Sequence, residues 1–131
     1  MSFALDVSKF VEKAKKNPEK VMRQVSIKLF SAIIKASPVD TGRFRMNWMA
    51  SDGTPASGTT DAVDKSGNIA IGNATSFVLK AADWREFTLT NNLPYAQRLE
   101  YGWSQQAPQG MVRANVSRFQ QIINEEANKV K

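Results

Sequence analysis

Ser37-Pro38-Val39-Asp40-Thr41-Gly42-Arg43-Phe44-Arg45 is the stretch on which the fold turns. Pro38 bars continuation of a helix, Asp40 and Thr41 are built to bond nearby backbone N–H groups, and Gly42 is free to take positive φ. The segment therefore reads as a helix stop followed by a tight turn. Upstream, Val21, Val25, Leu29 and Ile33, with Met22, Ala32 and Ala36, form a wide apolar face at helical spacing. That helix is predicted from Pro18, with Asn17 as its cap and Glu19 near its positive end, to the Ser37-Pro38 stop. Downstream, Phe44, Met46 and Trp48 alternate with Arg43, Arg45 and Asn47, a period of two that predicts a strand. A helical turn at 41–45 leading into that strand is the competing reading.

Further out, Val7, Phe10, Val11 and Ala14 predict an N-terminal helix over 6–16. Residues 51–67 (SDGTPASGTTDAVDKSG) are dominated by Gly, Ser, Thr, Asp and Pro, with Val63 the one sizeable apolar group. Such a segment buries too little surface to offset its ordering entropy, and it reads as a long flexible hairpin loop inside a single domain spanning 1–131. Ile69-Ala70-Ile71-Gly72 is a strand candidate, 74–84 a helix and 86–91 a strand. Pro94–Tyr101 reads as a short helix, 102–110 as a polar loop, and 111–129 as a closing amphipathic helix. The expected class is α+β, with long N-terminal helices and a C-terminal helix packed on a small, mainly antiparallel sheet whose adjacent strands are joined as hairpins.

Composition narrows the chemistry. The 131 residues contain no Cys and no His, which removes disulfides, thiolate metal sites and the commonest metal ligand and general base. Neither a catalytic residue set nor a cofactor or metal site is expected. No apolar run reaches the roughly 20 residues of a membrane span, and Met1–Asp6 lacks the basic and apolar regions of a secretion signal, so the chain is expected to be made in the cytoplasm without a membrane partner. The formal charge of +6 is concentrated: residues 9–35 carry eight basic and two acidic side chains, and the remainder balances. Lys9, Lys13, Lys16 and Lys20 follow steps of four and three, which suits DNA phosphates, an acidic protein partner or a merely solubilising face.

A second block, Asn91-Asn92-Leu93-Pro94-Tyr95-Ala96-Gln97-Arg98-Leu99-Glu100-Tyr101-Gly102, follows the first by about fifty residues. In this order, P-x-D-T-G-R-φ-R followed by Y-A-x-x-φ-E-Y-G resembles the neck and tail-completion proteins of long-tailed bacteriophages, the family of lambda tail-completion protein Z-like minor tail proteins. The resemblance runs over most of the chain; the long 51–67 segment and the polar Trp103-Ser104-Gln105-Gln106 depart from it. It implies a non-enzymatic structural protein of the virion, made in the host cytoplasm and placed at the head–tail junction.

As the resemblance has it, the chain forms a ring with itself, six-fold to match the tail, between head-completion or connector proteins and tail-terminator or tail-tube proteins, with non-specific contact to packaged DNA open to it. Pro38, Asp40, Thr41 and Gly42 would be a structural turn, with the Asp40 carboxylate tying down backbone; a D-T-G triplet alone is too short to argue for an aspartic protease. Arg43, Arg45, Arg98 and Glu100 read either as an ion-pair set, within the fold or across a subunit boundary, or as solvated surface charges worth little each. Tyr95, Tyr101 and Trp103 beside them are the aromatic types enriched at interface centres. A tail terminator of the same neck, or a free basic nucleic-acid-binding module, are the rival readings.

Overall fold

The computed structural model describes residues 3–6, 18–52, 54–101, 106, 110–116 and 118. It is α+β: helices pack on a three-stranded antiparallel sheet. The order is β1 (Phe3–Asp6), α1 (Pro18–Ala36), α2 (Arg43–Met46), β2 (Trp48–Ser51), α3 (Asn68–Lys80), β3 (Thr88–Asn91), α4 (Ala96–Glu100) and α5 (Val112–Val116).

α1 is the spine of the core. Val21, Met22, Val25, Leu29, Phe30, Ile33 and Ile34 are all buried along one broad face, and each large apolar side chain so buried contributes about 1.5–3 kcal/mol relative to exposure. The helix stops where expected because Ser37 turns its own hydroxyl back onto the Ile33 carbonyl at 2.8 Å, ahead of Pro38. Arg45 closes the same end: its guanidinium donates to the carbonyls of Lys35 (2.8 Å), Ser37 (3.0 Å) and Lys65 (2.8 Å). The Lys35 and Ser37 bonds satisfy carbonyls that the helix C-terminus leaves without partners, and the Lys65 bond ties in the segment ahead of α3.

β3 lies in the centre of the sheet, antiparallel to β1 and to β2. Leu89 stands opposite Leu5 and Ala50, and Asn91 opposite Phe3 and Trp48. All four residues of β3 are buried, so its alternating sequence does not mark one wet face. Trp48 anchors β2 to the end of α1 by donating its indole N–H to the Ser37 hydroxyl at 2.8 Å. α3 packs on both α1 and β2, and Arg23 of α1 holds its C-terminal end by donating to the carbonyls of Val78, Leu79 and Ala81.

Several expectations are corrected. The alternation at 43–48 is not one strand: residues 43–46 form the helical turn α2, and the strand begins at Trp48. Ile69-Ala70-Ile71-Gly72 is the first part of α3, not a strand. Hence 51–67 is no hairpin loop, for it joins β2 to a helix, and β2 and β3 become neighbours only after α3 has crossed between them. Asp6 belongs to β1, while the rest of the helix expected over 6–16, the Asn17 cap and most of the closing helix beyond Val116 lie outside the described residues.

Candidate interaction groove

The two signature blocks come together. Residues 38–42 form one wall of an open groove of about 440 Å³, and Tyr95, Leu99 and Gln106 form the other. Phe44 is the floor: its ring lies 5.9 Å from that of Tyr95 at 34°, and 5.8 Å from Trp48 in an edge-on contact at 74°. Asn91 locks the walls from beneath. Its buried side chain donates to the Phe44 carbonyl at 3.0 Å and accepts from the Leu93 N–H at 3.2 Å, so one amide fixes the end of α2 against the entry to α4.

The first wall is shaped by Gly42, whose φ of +94° falls in the left-handed region. The hydroxyl of Thr41 accepts the Arg43 N–H at 3.2 Å. Asp40, expected to tie down this turn, does not: its carboxylate is exposed and takes part in no hydrogen bond or ion pair among the described residues. The aspartate that performs that work is Asp64. It is 6% exposed, and it accepts from the N–H groups of Gly67 (3.1 Å), Ile69 (2.8 Å) and Ala70 (3.0 Å) and from the Ser66 hydroxyl (3.1 Å). Burial raises its pKa, but the Ala70 N–H, the Ser66 hydroxyl and the Ile69 and Gly67 N–H groups together outweigh this and hold the carboxyl below its ordinary value.

The segment before Asp64 is stitched to the body by backbone carbonyls. Asn92 donates to Ala56 (2.8 Å) and Gly58 (3.1 Å), while Asn47 donates to Thr60 at 3.0 Å and accepts the Thr60 N–H at 2.9 Å. Arg43 adds a bond to the Thr60 carbonyl at 3.1 Å and an ion pair with Asp61 at 3.3 Å. Because Asp61 is almost wholly exposed, that pair is worth little.

Glu100 is not part of an ion-pair set with Arg43, Arg45 or Arg98. It is buried and aimed at the start of α5, where it accepts the N–H groups of Met111, Val112 and Arg113, each at 2.8 Å. Among the described residues it forms a salt bridge to Arg113, at 3.2 Å. Arg113 also donates to the Glu100 carbonyl and stacks 4.8 Å from the centre of the Tyr101 ring. Sealed in this way, Glu100 is unavailable to a neighbouring subunit.

Of the other candidates, Tyr95 is 37% and Tyr101 68% exposed, and Arg98 is exposed on α4. Lys20 is exposed near the start of α1; Lys9, Lys13, Lys16 and Trp103 lie outside the described residues. Three residues that matter were not singled out from sequence: Asn91, Asp64 and Gln106. Asp64 carried a signal, since D-x-S-G ahead of an apolar run is a helix-start pattern; Gln106, in a polar loop, carried none.

The groove offers an aromatic floor, walls of mixed aliphatic and polar side chains, backbone hydrogen-bonding groups and, in Asp40, a carboxylate without a partner among the described residues, which suits recognition of a peptide surface. Among the described residues there is no group of three or more His, Cys, Asp or Glu arranged to hold a metal ion, and no helix is long and apolar enough to cross a membrane. Comparison with protein-family models, with curated proteins and with solved structures finds no match to this chain.

Proposed function

We propose that this chain is a structural subunit of a tailed-phage or prophage virion, a neck or tail-completion protein that joins tail to head by assembling into a ring at the junction. The observation that carries the reading is the convergence of the two signature segments, fifty residues apart in sequence, on opposite walls of one open groove. Turn-rich motifs that converge on a surface groove with an exposed aromatic rim suit an assembly surface, where aromatic anchors supply most of the binding energy. A ring requires a heterologous contact that repeats by rotation, so one face of each subunit must receive a different face of its neighbour. A concave groove on one side of the fold is a natural receiving face.

In this role the chain sits between head-completion or connector proteins and tail-terminator or tail-tube proteins. In this reading the net positive charge of residues 9–35 serves non-specific contact with the DNA path. The test is a stop codon early in the gene, with lysates inspected by electron microscopy. Filled heads and finished tails that fail to join are the expected result. Normal virions would overturn the reading, and tails of uncontrolled length would indicate a terminator instead.

A further inference from the structure

We propose that the groove between residues 38–44 and α4 receives an extended peptide segment of a partner protein, bearing an apolar side chain next to a lysine or arginine, and that Gln106 occupies the pairing position until this segment displaces it. The inference stands on the chemistry of the groove and goes beyond the virion assignment.

Gln106 provides the first argument. Its side-chain amide accepts the Val39 N–H at 2.8 Å and donates to the Val39 carbonyl at 2.9 Å. One residue exchanging both backbone bonds with one partner is the pattern of a hydrogen-bonded pair in an antiparallel ladder. A carboxamide reproduces that pattern because it carries the same donor and acceptor as a peptide group. Val39 thus presents a one-residue strand edge, just past the Pro38 stop, and an exposed side chain is what covers it. Addition of an extended segment to such an edge is a recurrent mode of peptide recognition, with backbone bonds giving affinity and adjacent pockets giving selectivity.

The pocket beside that edge sets the side-chain preference. Its volume of about 440 Å³ lies within the range of clefts that hold small ligands or side chains, roughly 300–1,000 Å³. Phe44, Tyr95 and Leu99 give it an apolar patch. Asp40, adjacent to Val39 in the chain, contributes the carboxylate at the rim and has no partner among the described residues. An apolar residue flanked by a cation complements both features.

The test is selection of a random heptapeptide library on the immobilised full chain, followed by fluorescence-polarisation titration of the enriched peptides against wild type, Asp40→Lys, Asp40→Asn and Gln106→Ala. Both altered side chains are exposed; the Asp40 variants are expected to melt as the wild type does, and Gln106→Ala slightly lower, since the free fold loses the Val39 bonds that the peptide would otherwise have to displace. Enriched peptides should share an apolar residue beside Lys or Arg. They should bind Asp40→Lys at least about tenfold more weakly, with Asp40→Asn intermediate, and bind Gln106→Ala about fivefold more tightly, the equivalent of one net hydrogen bond no longer in competition. No enriched consensus, a consensus without a basic residue, binding indifferent to Asp40, or weaker binding by Gln106→Ala would each overturn the proposal.

Discussion

The backbone N–H of Asp64 donates to the carbonyl of Gly42 at 3.0 Å, and the two backbones lie so close that a Cβ built on Gly42 would sit 2.5 Å from the Lys65 nitrogen and 2.6 Å from the Asp64 carbonyl carbon. This contact fastens the turn after α1 to the segment that starts α3, and so fixes one wall of the groove. Gly42 is required twice over, for its positive φ and for the missing side chain.

Gly42→Ala is therefore expected to destabilise the chain by at least about 2 kcal/mol, combining the cost of a left-handed backbone with a clash against main chain that cannot swing aside. Urea denaturation with an unchanged m-value checks it. A loss below about 0.5 kcal/mol would mean that the 42–64 contact contributes little to stability.

Asp64 gives the fold an acid-sensitive joint. Because its folded pKa is depressed, its contribution is fully present above the ordinary carboxylate value of 3.8 and is lost as pH falls through the lower folded value. Asp64→Asn should remove the part of the acid loss that sets in below this value, leaving the stability profile above it unchanged in slope. At neutral pH, Asp64→Ala is expected to cost about 2 kcal/mol, the upper end for a lost helix cap. Thermal melts of wild type and both variants across pH 2.5–7 (a range of about two ordinary carboxylate titrations) report the difference.

Asp40 and Asp64 show what local sequence conveys and what it withholds. Both aspartates sit two or three residues ahead of a positive-φ glycine, Asp40 before Gly42 and Asp64 before Gly67, and both are chemically able to cap. Burial separates them, and burial depends on the packing of α3 against α1, which no short window contains. The long helix α1, nineteen residues in all, was legible because its apolar stripe runs from Val21 to a proline stop. The start of α3 was not, since Ile69-Ala70-Ile71 fits a short strand as well as a buried helical turn. The partner of Glu100 was not legible either. Arg113 reaches it from a helix whose start is set by tertiary contact, not by a local signal.

Asp40→Ala is accordingly expected to leave stability within about 0.5 kcal/mol of wild type, as for exposed positions without bonding partners. Differential scanning calorimetry decides this. A loss above about 1 kcal/mol would show that the carboxylate supports the turn after all.

Glu100→Ala should cost about 3 kcal/mol, because three backbone N–H groups at the start of α5 and the Arg113 guanidinium lose their acceptor at once. Glu100→Gln keeps one acceptor oxygen and should fall between the two. Hydrogen exchange at Met111, Val112 and Arg113 is the sharper readout, with protection lost at these amides before those of α1.

The proposed virion role is decided by a cryo-electron-microscopy reconstruction of the head–tail joint in tailed particles released by cells that carry the gene for this chain. The account predicts a ring of subunits at the junction, each fitted by this three-stranded sheet with α1 and α3 packed together, and with the groove at 38–44 turned toward a neighbouring protein. A joint fully accounted for by other proteins, with this chain absent from the particle, would contradict it.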